Sequence, residues 1–166
     1  MMDSEEYVSR YYDRLVAGNG GSAAISSHAA LNLTKPSSNG GDRAVRGVLR
    51  CISLSSCTST ITALGNDVGY ADTFSTQLAF YAKPKDALLL ISSSGDSPNV
   101  VKACEMANEM GIPTIAFVGF DGGRLKKIAR HCVWIPINNY GMVEEIHQSL
   151  MHVLAQYIRH RNEATF

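Results

Sequence analysis

The chain has 166 residues, of which 45% are hydrophobic and 18% are charged, a composition typical of one globular domain and not of a disordered segment. Fifteen Lys and Arg residues balance fifteen Asp and Glu residues, so no excess of positive charge is available to attract nucleic acid. No apolar run approaches the roughly 18 residues of a membrane-spanning helix. We therefore expect a single domain over residues 1–166, with a short N-terminal segment 1–13, that binds neither nucleic acid nor membranes.

The four cysteines indicate a reducing compartment. Cys51, Cys57, Cys104 and Cys132 show no C-x-x-C spacing, and each lies in or beside an apolar stretch. Such residues are typical of reduced core thiols and not of disulfides or thiolate metal sites. The acidic N-terminus also differs from a secretory signal, which is basic and then apolar. We expect a cytoplasmic protein.

Short apolar runs alternate with longer helical segments along the chain. Strands are predicted at Arg14–Ala17, Val48–Leu54, Ala87–Ser92, Thr114–Val118 and Cys132–Ile135, and helices at Ser22–Leu33, Ala71–Ala82, Pro98–Met110, Gly123–Ala129 and Met142–His160. The strand runs are apolar almost throughout, as in strands buried on both faces of a parallel sheet. The alternation predicts an α/β sandwich, in which ligands bind at the carboxyl ends of the strands.

One segment has the features of a phosphate-binding loop. A buried strand, a Ser/Gly turn and a helix follow one another over residues 88–99, with Ser97 as the expected N-cap and Pro98 at the first helical position. The first N–H groups of a helix lack partners and attract oxyanions, and hydroxyls are added here by Ser92, Ser93, Ser94 and Ser97. No P-loop lysine follows, which favours a small phosphate monoester over a triphosphate. The same residues could also form only a turn and a helix cap.

A second glycine-bearing loop precedes the first predicted helix. The sequence GNGGS over Gly18–Ser22 follows a short apolar run, so the two loops could hold a polar ligand from both sides. Its G-x-G-x-x-G-like spacing is weak evidence for a dinucleotide, because no acidic residue follows at a plausible strand end about 20 residues later. We expect no nucleotide cofactor.

Five motifs occur in an order that resembles one known family. They are GNGGS at 18–22 followed by His28, GND at 65–67, ISSSGDSPNVVKA at 91–103, GFDGG at 119–123 and EEIHQSLMH at 144–152. Together they cover most of the chain and resemble the SIS (sugar isomerase) domain family, in its phosphoheptose isomerase branch. The resemblance implies a three-layer α/β/α sandwich with a five-stranded parallel, flavodoxin-like sheet.

The resemblance also implies an activity and a binding site. Members of this branch convert sedoheptulose 7-phosphate to a heptose 7-phosphate through an enediol, as homo-oligomers that are usually tetramers. The implied substrate-binding residues are Asn19, Gly20, Ser22 and Asp67 around the sugar, and Ser92, Ser93, Ser94 and Ser97 around the phosphate. Two alternatives remain open: a non-catalytic phosphosugar-binding module that acts as a sensor or protein adaptor, and an isomerase of another ketose phosphate.

The chain departs from the family pattern at the expected catalytic carboxylate. His28 and His152 match the two family histidines, but Asn32 stands where the family has a glutamate, and Glu144 stands where it has a glutamine. Isomerisation needs a base, and an amide cannot abstract a proton. We hypothesise that Glu144 is the base, that His152 moves protons during ring opening and that Asn32 donates a hydrogen bond to the enediol oxygen. A base on another wall could also alter the stereochemistry of the product.

The family further implies a zinc site. Many members hold zinc between these two helices, and His28, Glu144 and His152 would supply two imidazoles and a carboxylate, a set suited to Zn²⁺. The alternatives are a solvated carboxylate at Glu144 and an ordinary hydrogen-bonded histidine at His28. His147 either supports the site or lies on the helix surface.

Overall fold

A computed structural model describes residues 13–34 and 50–163 of the chain. In chain order the described elements are β1 (Asp13–Gly18), α1 (Gly21–Thr34), β2 (Arg50–Ser53), α2 (Thr58–Asp67), a 3₁₀ turn (Tyr70–Asp72), α3 (Thr73–Tyr81), β3 (Ala87–Ser92), α4 (Pro98–Glu109), β4 (Thr114–Val118), α5 (Leu125–Ile128), β5 (His131–Trp134) and α6 (Tyr140–Glu163). Residues 1–12 of the predicted N-terminal segment, and the first two residues of the strand predicted at Val48–Leu54, lie outside this description. None of the described helices combines the length and the apolar character that crossing a bilayer requires.

The strands form one parallel sheet in the order β2-β1-β3-β4-β5. This order is the flavodoxin-like arrangement of a doubly wound sheet, and it confirms the predicted fold class. From β1 the chain continues to β2 at one edge of the sheet. It then crosses to β3 on the other side of β1, and β4 and β5 continue to the opposite edge. The carboxyl ends of β1 and β3 therefore lie on either side of a crevice, where such sheets bind their ligands.

Each face of the sheet carries its own layer of helices. Because side chains alternate along a strand, Leu15 and Leu88 point to one face, where they join residues of α3 and α4. Val16 and Leu89 point to the opposite face, where they join residues of α1 and Met151 of α6. These two apolar clusters make the molecule a three-layer sandwich. The second cluster holds α1 and α6 side by side on one face of the sheet.

Helix α2 is the element that the sequence did not predict. Its ten residues, TSTITALGND, include no buried residue, and its two large apolar residues, Ile61 and Leu64, form a single i, i+3 pair, which is too little apolar periodicity to predict a helix. Cys57 immediately precedes this helix and is exposed, so the prediction of a core thiol is wrong at that position. The helix predicted at Ala71–Ala82 also differs, because its first turn belongs to the 3₁₀ element.

Candidate functional site

A small cavity lies between the loops that follow β1 and β3. Its volume is about 260 Å³, just below the roughly 300–1,000 Å³ of typical small-molecule sites. It is lined by Asn19, Gly20, Gly21, Ser22, Ser92, Ser93, Ser94, Ser97, Tyr140 and Glu144. The cavity thus brings together seven of the eight predicted substrate-binding residues and one predicted catalytic residue, at the crevice where the strand order reverses.

The loop after β3 presents hydroxyl groups that the protein itself leaves available. Ser93 is buried, and its Oγ has no hydrogen-bond partner among the described residues. Ser97 is the N-cap of α4, as predicted, yet its side chain makes no capping hydrogen bond. A buried hydroxyl without a partner is costly unless a ligand or water completes it. No Lys or Arg is among the lining residues, so hydroxyls and helix N–H groups are the donors here.

A neighbouring loop holds this hydroxyl-bearing turn in place. The Gly119 N–H donates to the Ser93 carbonyl at 2.8 Å, and the Leu125 N–H donates to the Gly95 carbonyl at 3.0 Å. Gly95 has φ +69°, and a Cβ there would overlap the Gly122 carbonyl. A Cβ on Gly123 would in turn overlap the backbone of Ser94 and Gly95, so the close approach of the two loops depends on glycine at positions 95 and 123.

An ion pair on the outer side of this turn adds to that support. Arg124 Nε lies 2.9 Å from Asp96 Oδ1, and the Arg124 backbone N–H donates to the same oxygen at 3.0 Å. These hydrogen bonds lower the pKa of Asp96. Both side chains are about half exposed, so the pair contributes less to stability than the buried backbone contacts do.

The Asn19 side chain is part of a hydrogen-bonded amide pair. Its Nδ2 donates to Asn99 Oδ1 at 2.8 Å, and Asn99 Nδ2 donates back to Asn19 Oδ1 at 3.0 Å. The Tyr70 hydroxyl also donates to Asn19 Oδ1, at 2.9 Å. Asn19 therefore ties the first loop to the start of α4. Asn99 and Tyr70 were not predicted, although Asn99 directly follows the predicted Ser97–Pro98 helix start.

Glu144, in the first turns of α6, directs its carboxylate at the start of α1. A Cβ added to Gly21 would overlap both carboxylate oxygens, so the glycine provides the space that the carboxylate occupies. The positive end of the α1 dipole favours a negative charge there. Glu144 is half-buried and lines the cavity, which places it differently from its exposed neighbour Glu145.

The two predicted histidines lie beside each other further along α1 and α6. The rings of His28 and His152 are T-shaped, with centroids 5.0 Å apart. The side chain of Gln148 lies between them, with Nε2 2.7 Å from His28 Nδ1 and 3.1 Å from His152 Nε2. Sequence reasoning missed Gln148, although its spacing of four residues from His152 places both on one helix face.

Asn32 does not join this group or the cavity. Its Nδ2 contacts Met151 Sδ at 3.7 Å, one helical turn beyond His28, and it is absent from the cavity lining. The amide is thus occupied by a sulfur contact between α1 and α6. The structure gives no support for the predicted contact of Asn32 with an enediol oxygen.

The predicted zinc ligands do not converge. Within residues 13–34 and 50–163, no three His, Cys, Asp or Glu side chains are grouped so that they could hold one metal ion. Glu144 precedes His152 by eight residues, about 12 Å along a helix axis, and no hydrogen bond joins the two. His28 and His152 turn nitrogens toward Gln148 instead. The predicted set of His28, Glu144 and His152 therefore does not fit a zinc ion in this chain.

Two further residues lie elsewhere than at the cavity. Asp67 is exposed at the end of α2, where its Oδ1 accepts a hydrogen bond from Asn66 Nδ2 at 2.8 Å, and it is not among the lining residues. His147 is fully buried, with its ring 5.9 Å from that of Phe117. It therefore does not lie on the helix surface, and among the described residues neither ring nitrogen has a hydrogen-bond partner of acceptable geometry.

Comparison with known proteins places this arrangement in a family. The family model of the SIS domain matches residues 14–119. A phosphoheptose isomerase from Trichlorobacter lovleyi is 42% identical over 144 residues, covering 87% of this chain and 71% of the relative. The structures of phosphoheptose isomerases from Neisseria gonorrhoeae (GmhA) and Francisella tularensis superpose with TM-scores of 0.79 and 0.77 at 32% and 31% identity. Each match covers 89% of this chain. The matched region is 76% of the Neisseria gonorrhoeae chain and 75% of the Francisella tularensis chain.

Proposed function

The chain belongs to the phosphoheptose isomerase branch of the SIS domain family, and from this premise we propose that it isomerises sedoheptulose 7-phosphate to an aldoheptose 7-phosphate. The observation that carries the proposal is that one cavity is lined by both the hydroxyl-bearing turn and the Glu144 carboxylate. The first suits a phosphate monoester and the second suits proton transfer. A non-catalytic sensor or adaptor is not favoured, because it would not need a carboxylate directed into the cavity.

The phosphate of the substrate binds in the turn between β3 and α4. Its oxygens accept hydrogen bonds from the hydroxyls of Ser93 and Ser97, which have no partner of their own in the described structure, and from the N-terminal N–H groups of α4. Ser92 and Ser94 line the same wall. The sugar then extends past the loop of Gly20 and Ser22 toward α6.

Glu144 acts as the base that moves a proton between C1 and C2 of the open-chain ketose. Its carboxylate takes a proton from C1 while the C2 carbonyl oxygen gains one, which gives the enediol. The O1 hydroxyl then loses its proton as C1 becomes the aldehyde, and the protonated Glu144 returns its proton to C2. Atoms and electrons balance, and the carboxylate is regenerated. A positioned base contributes about 10²–10⁴-fold to such a step.

The oxygen atoms of the intermediate need N–H donors on the same wall. The Asn32 amide contacts Met151, and the histidine pair lies about two turns of α6 from Glu144, so the donors nearest the Glu144 carboxylate are the backbone N–H groups at the start of α1. In this proposal His28 and His152 bind the sugar through their ring N–H groups. Because the carboxylate comes from α6, its position determines which face of C2 receives the proton. The configuration at C2 of the product therefore reports that face.

The proposal extends to assembly and location. Val153 and Tyr157 occupy one face of α6 and are 64% and 58% exposed, as is typical of a surface that another subunit covers. We propose a homo-oligomer, a tetramer as in the family resemblance, which light scattering of the purified protein would test. A cytoplasmic location fits the free thiols of Cys57, Cys104 and Cys132.

Proton NMR of sedoheptulose 7-phosphate in D₂O with the purified protein tests the activity. We expect deuterium incorporation and a new anomeric signal, whose couplings report the configuration at C2. Glu144→Gln should lower turnover by about 10²–10⁴-fold and leave binding of the substrate within a few fold. Glu145→Gln is the matched control, since that neighbour is exposed. Binding without deuterium exchange in the wild-type protein would instead support the non-catalytic module.

A further inference from the structure

The side chain of Gln148 connects the two histidines that face each other across α1 and α6. It lies one helical turn before His152, and its Nε2 is within hydrogen-bond distance of one nitrogen on each ring, at 2.7 Å for His28 Nδ1 and 3.1 Å for His152 Nε2. Within the described ranges, no carboxylate makes a hydrogen bond with either ring. The amide is therefore the polar group that sets the environment of both imidazoles.

An amide nitrogen carries two hydrogens and accepts none, so it can only donate. Each ring nitrogen that faces Gln148 must then present a lone pair. We propose that Gln148 is a positioning residue that holds the two histidines in opposite tautomers, His28 with its proton on Nε2 and His152 with its proton on Nδ1. This inference rests on the proposed function of the same site and assigns the roles of its residues.

These tautomers give the histidines and Glu144 different roles. With their lone pairs directed at Gln148, the rings of His28 and His152 offer N–H groups to a ligand, and so act as hydrogen-bond donors to the sugar oxygens. Proton abstraction from carbon is then left to Glu144, two turns away. The nitrogens that a metal ion would need are those that Gln148 occupies, in agreement with the absence of a third ligand among the described residues.

The tautomers can be measured directly. Long-range ¹H–¹⁵N correlation spectra of histidine-labelled protein at pH 8 distinguish the two tautomers, and His28→Gln and His152→Gln variants assign the signals. We expect the Nε2–H form at His28 and the Nδ1–H form, which is the rarer one in free histidine, at His152. In Gln148→Leu, which keeps the approximate volume without the donor, the His152 preference should be lost. An Nε2–H form of His152 in the wild-type protein would overturn the proposal.

Kinetics complete the test. Loss of a hydrogen-bond partner that orients a histidine costs about 10–100-fold in metal sites, and we expect kcat/KM of Gln148→Leu to fall by a similar factor. Gln148→Glu has the same size but accepts hydrogen bonds, and it should be impaired as well. Gln156→Leu is the matched control on the exposed face of the same helix. An unchanged kcat/KM in Gln148→Leu, with altered tautomers, also overturns the proposal.

The two proposals fail in different ways. If the wild-type protein lacks isomerase activity, the proposed function is wrong, whereas the spectra of wild type and Gln148→Leu still decide whether the glutamine sets the tautomers. If activity is present and the tautomers are insensitive to Gln148, only the positioning role is wrong. Addition of Zn²⁺ to the wild-type protein gives a further readout, because tight binding that shifts both ring signals would show that Gln148 does not hold the lone pairs.

Discussion

The hydroxyl-bearing turn and the histidine pair satisfy their polar groups in opposite ways. Ser93 and Gly95 of the turn are buried and held by backbone hydrogen bonds from the neighbouring loop, yet Ser93 Oγ has no partner in the described structure. The histidines are exposed, yet each has a hydrogen bond to Gln148. A preformed site whose polar groups lack partners favours the ligand that supplies them. The two histidines already have a partner within the protein, and their orientation depends on Gln148.

Glu144 joins these two regions, because it shares a cavity with the turn and a helix with the histidines. The position of its carboxylate depends on Gly21 of α1. Substitution of Gly21 should therefore lower turnover without weakening phosphate binding.

Gly21→Ala should remove the space that the Glu144 carboxylate occupies. Gly21 is not in the left-handed region, and alanine is favoured in helices, so the backbone tolerates the change. We expect a loss of about 10²–10⁴-fold in kcat, as for loss of the base, with little change in the midpoint of urea unfolding. Gly141→Ala is the control, because a Cβ there meets its nearest atom at 3.5 Å. Full activity in Gly21→Ala would mean that Glu144 acts from another position.

Ser93→Ala should weaken phosphate binding and leave the fold at least as stable. A hydrogen bond to a charged group contributes about 1.5–3 kcal/mol, which corresponds to roughly 10–150-fold in affinity. The free protein loses only a buried hydroxyl that has no described partner. Calorimetry with inorganic phosphate and urea unfolding measure the two effects, and Ser149→Ala on the exposed face of α6 is the control. Equal phosphate affinity would place the anion elsewhere.

His147 offers a third test, on the same helix as the histidine pair but in the core. Burial lowers the pKa of His147 because the charged ring is poorly solvated, and a weak approach to the Val118 backbone opposes this shift only in part. Above about pH 6.5 the ring is neutral in both the folded and the unfolded state. Below that pH the unfolded state binds a proton first, so the free energy of unfolding decreases as the pH falls.

His147→Leu should therefore flatten the dependence of stability on pH between about 7.5 and 5.5. Urea unfolding at these two values measures the difference, with His131→Leu on an exposed edge strand as the control. A steeper loss of stability in the variant would contradict the assignment. The exposed pair of His28 and His152 should remain unaffected, so its tautomers in the variant provide an internal check.

The order of strands and helices followed from local pattern. The apolar runs at Ala87–Ser92 and Thr114–Val118 form strands with the predicted bounds, because a strand buried on both faces must be apolar throughout. Helix α2 was missed because it buries no residue, and pattern recognition depends on burial. Gln148 was missed for a different reason: its role depends on a partner 120 residues away in sequence.

The fold class, the family and the loop that suits a phosphate could be predicted from local sequence, because strand hydrophobicity, helix capping and glycine spacing are local properties. Which polar groups face one another depended on the packing of segments that are distant in sequence. This packing placed Glu144 against Gly21 and not beside the histidines, turned Asn32 toward Met151, and set Gln148 between the two rings. The physical reason is that residues two helical turns apart lie about 12 Å apart along the axis, so a shared helix does not make a shared site. The packing of α1 against α6 determines which side chains Glu144, Asn32 and Gln148 contact.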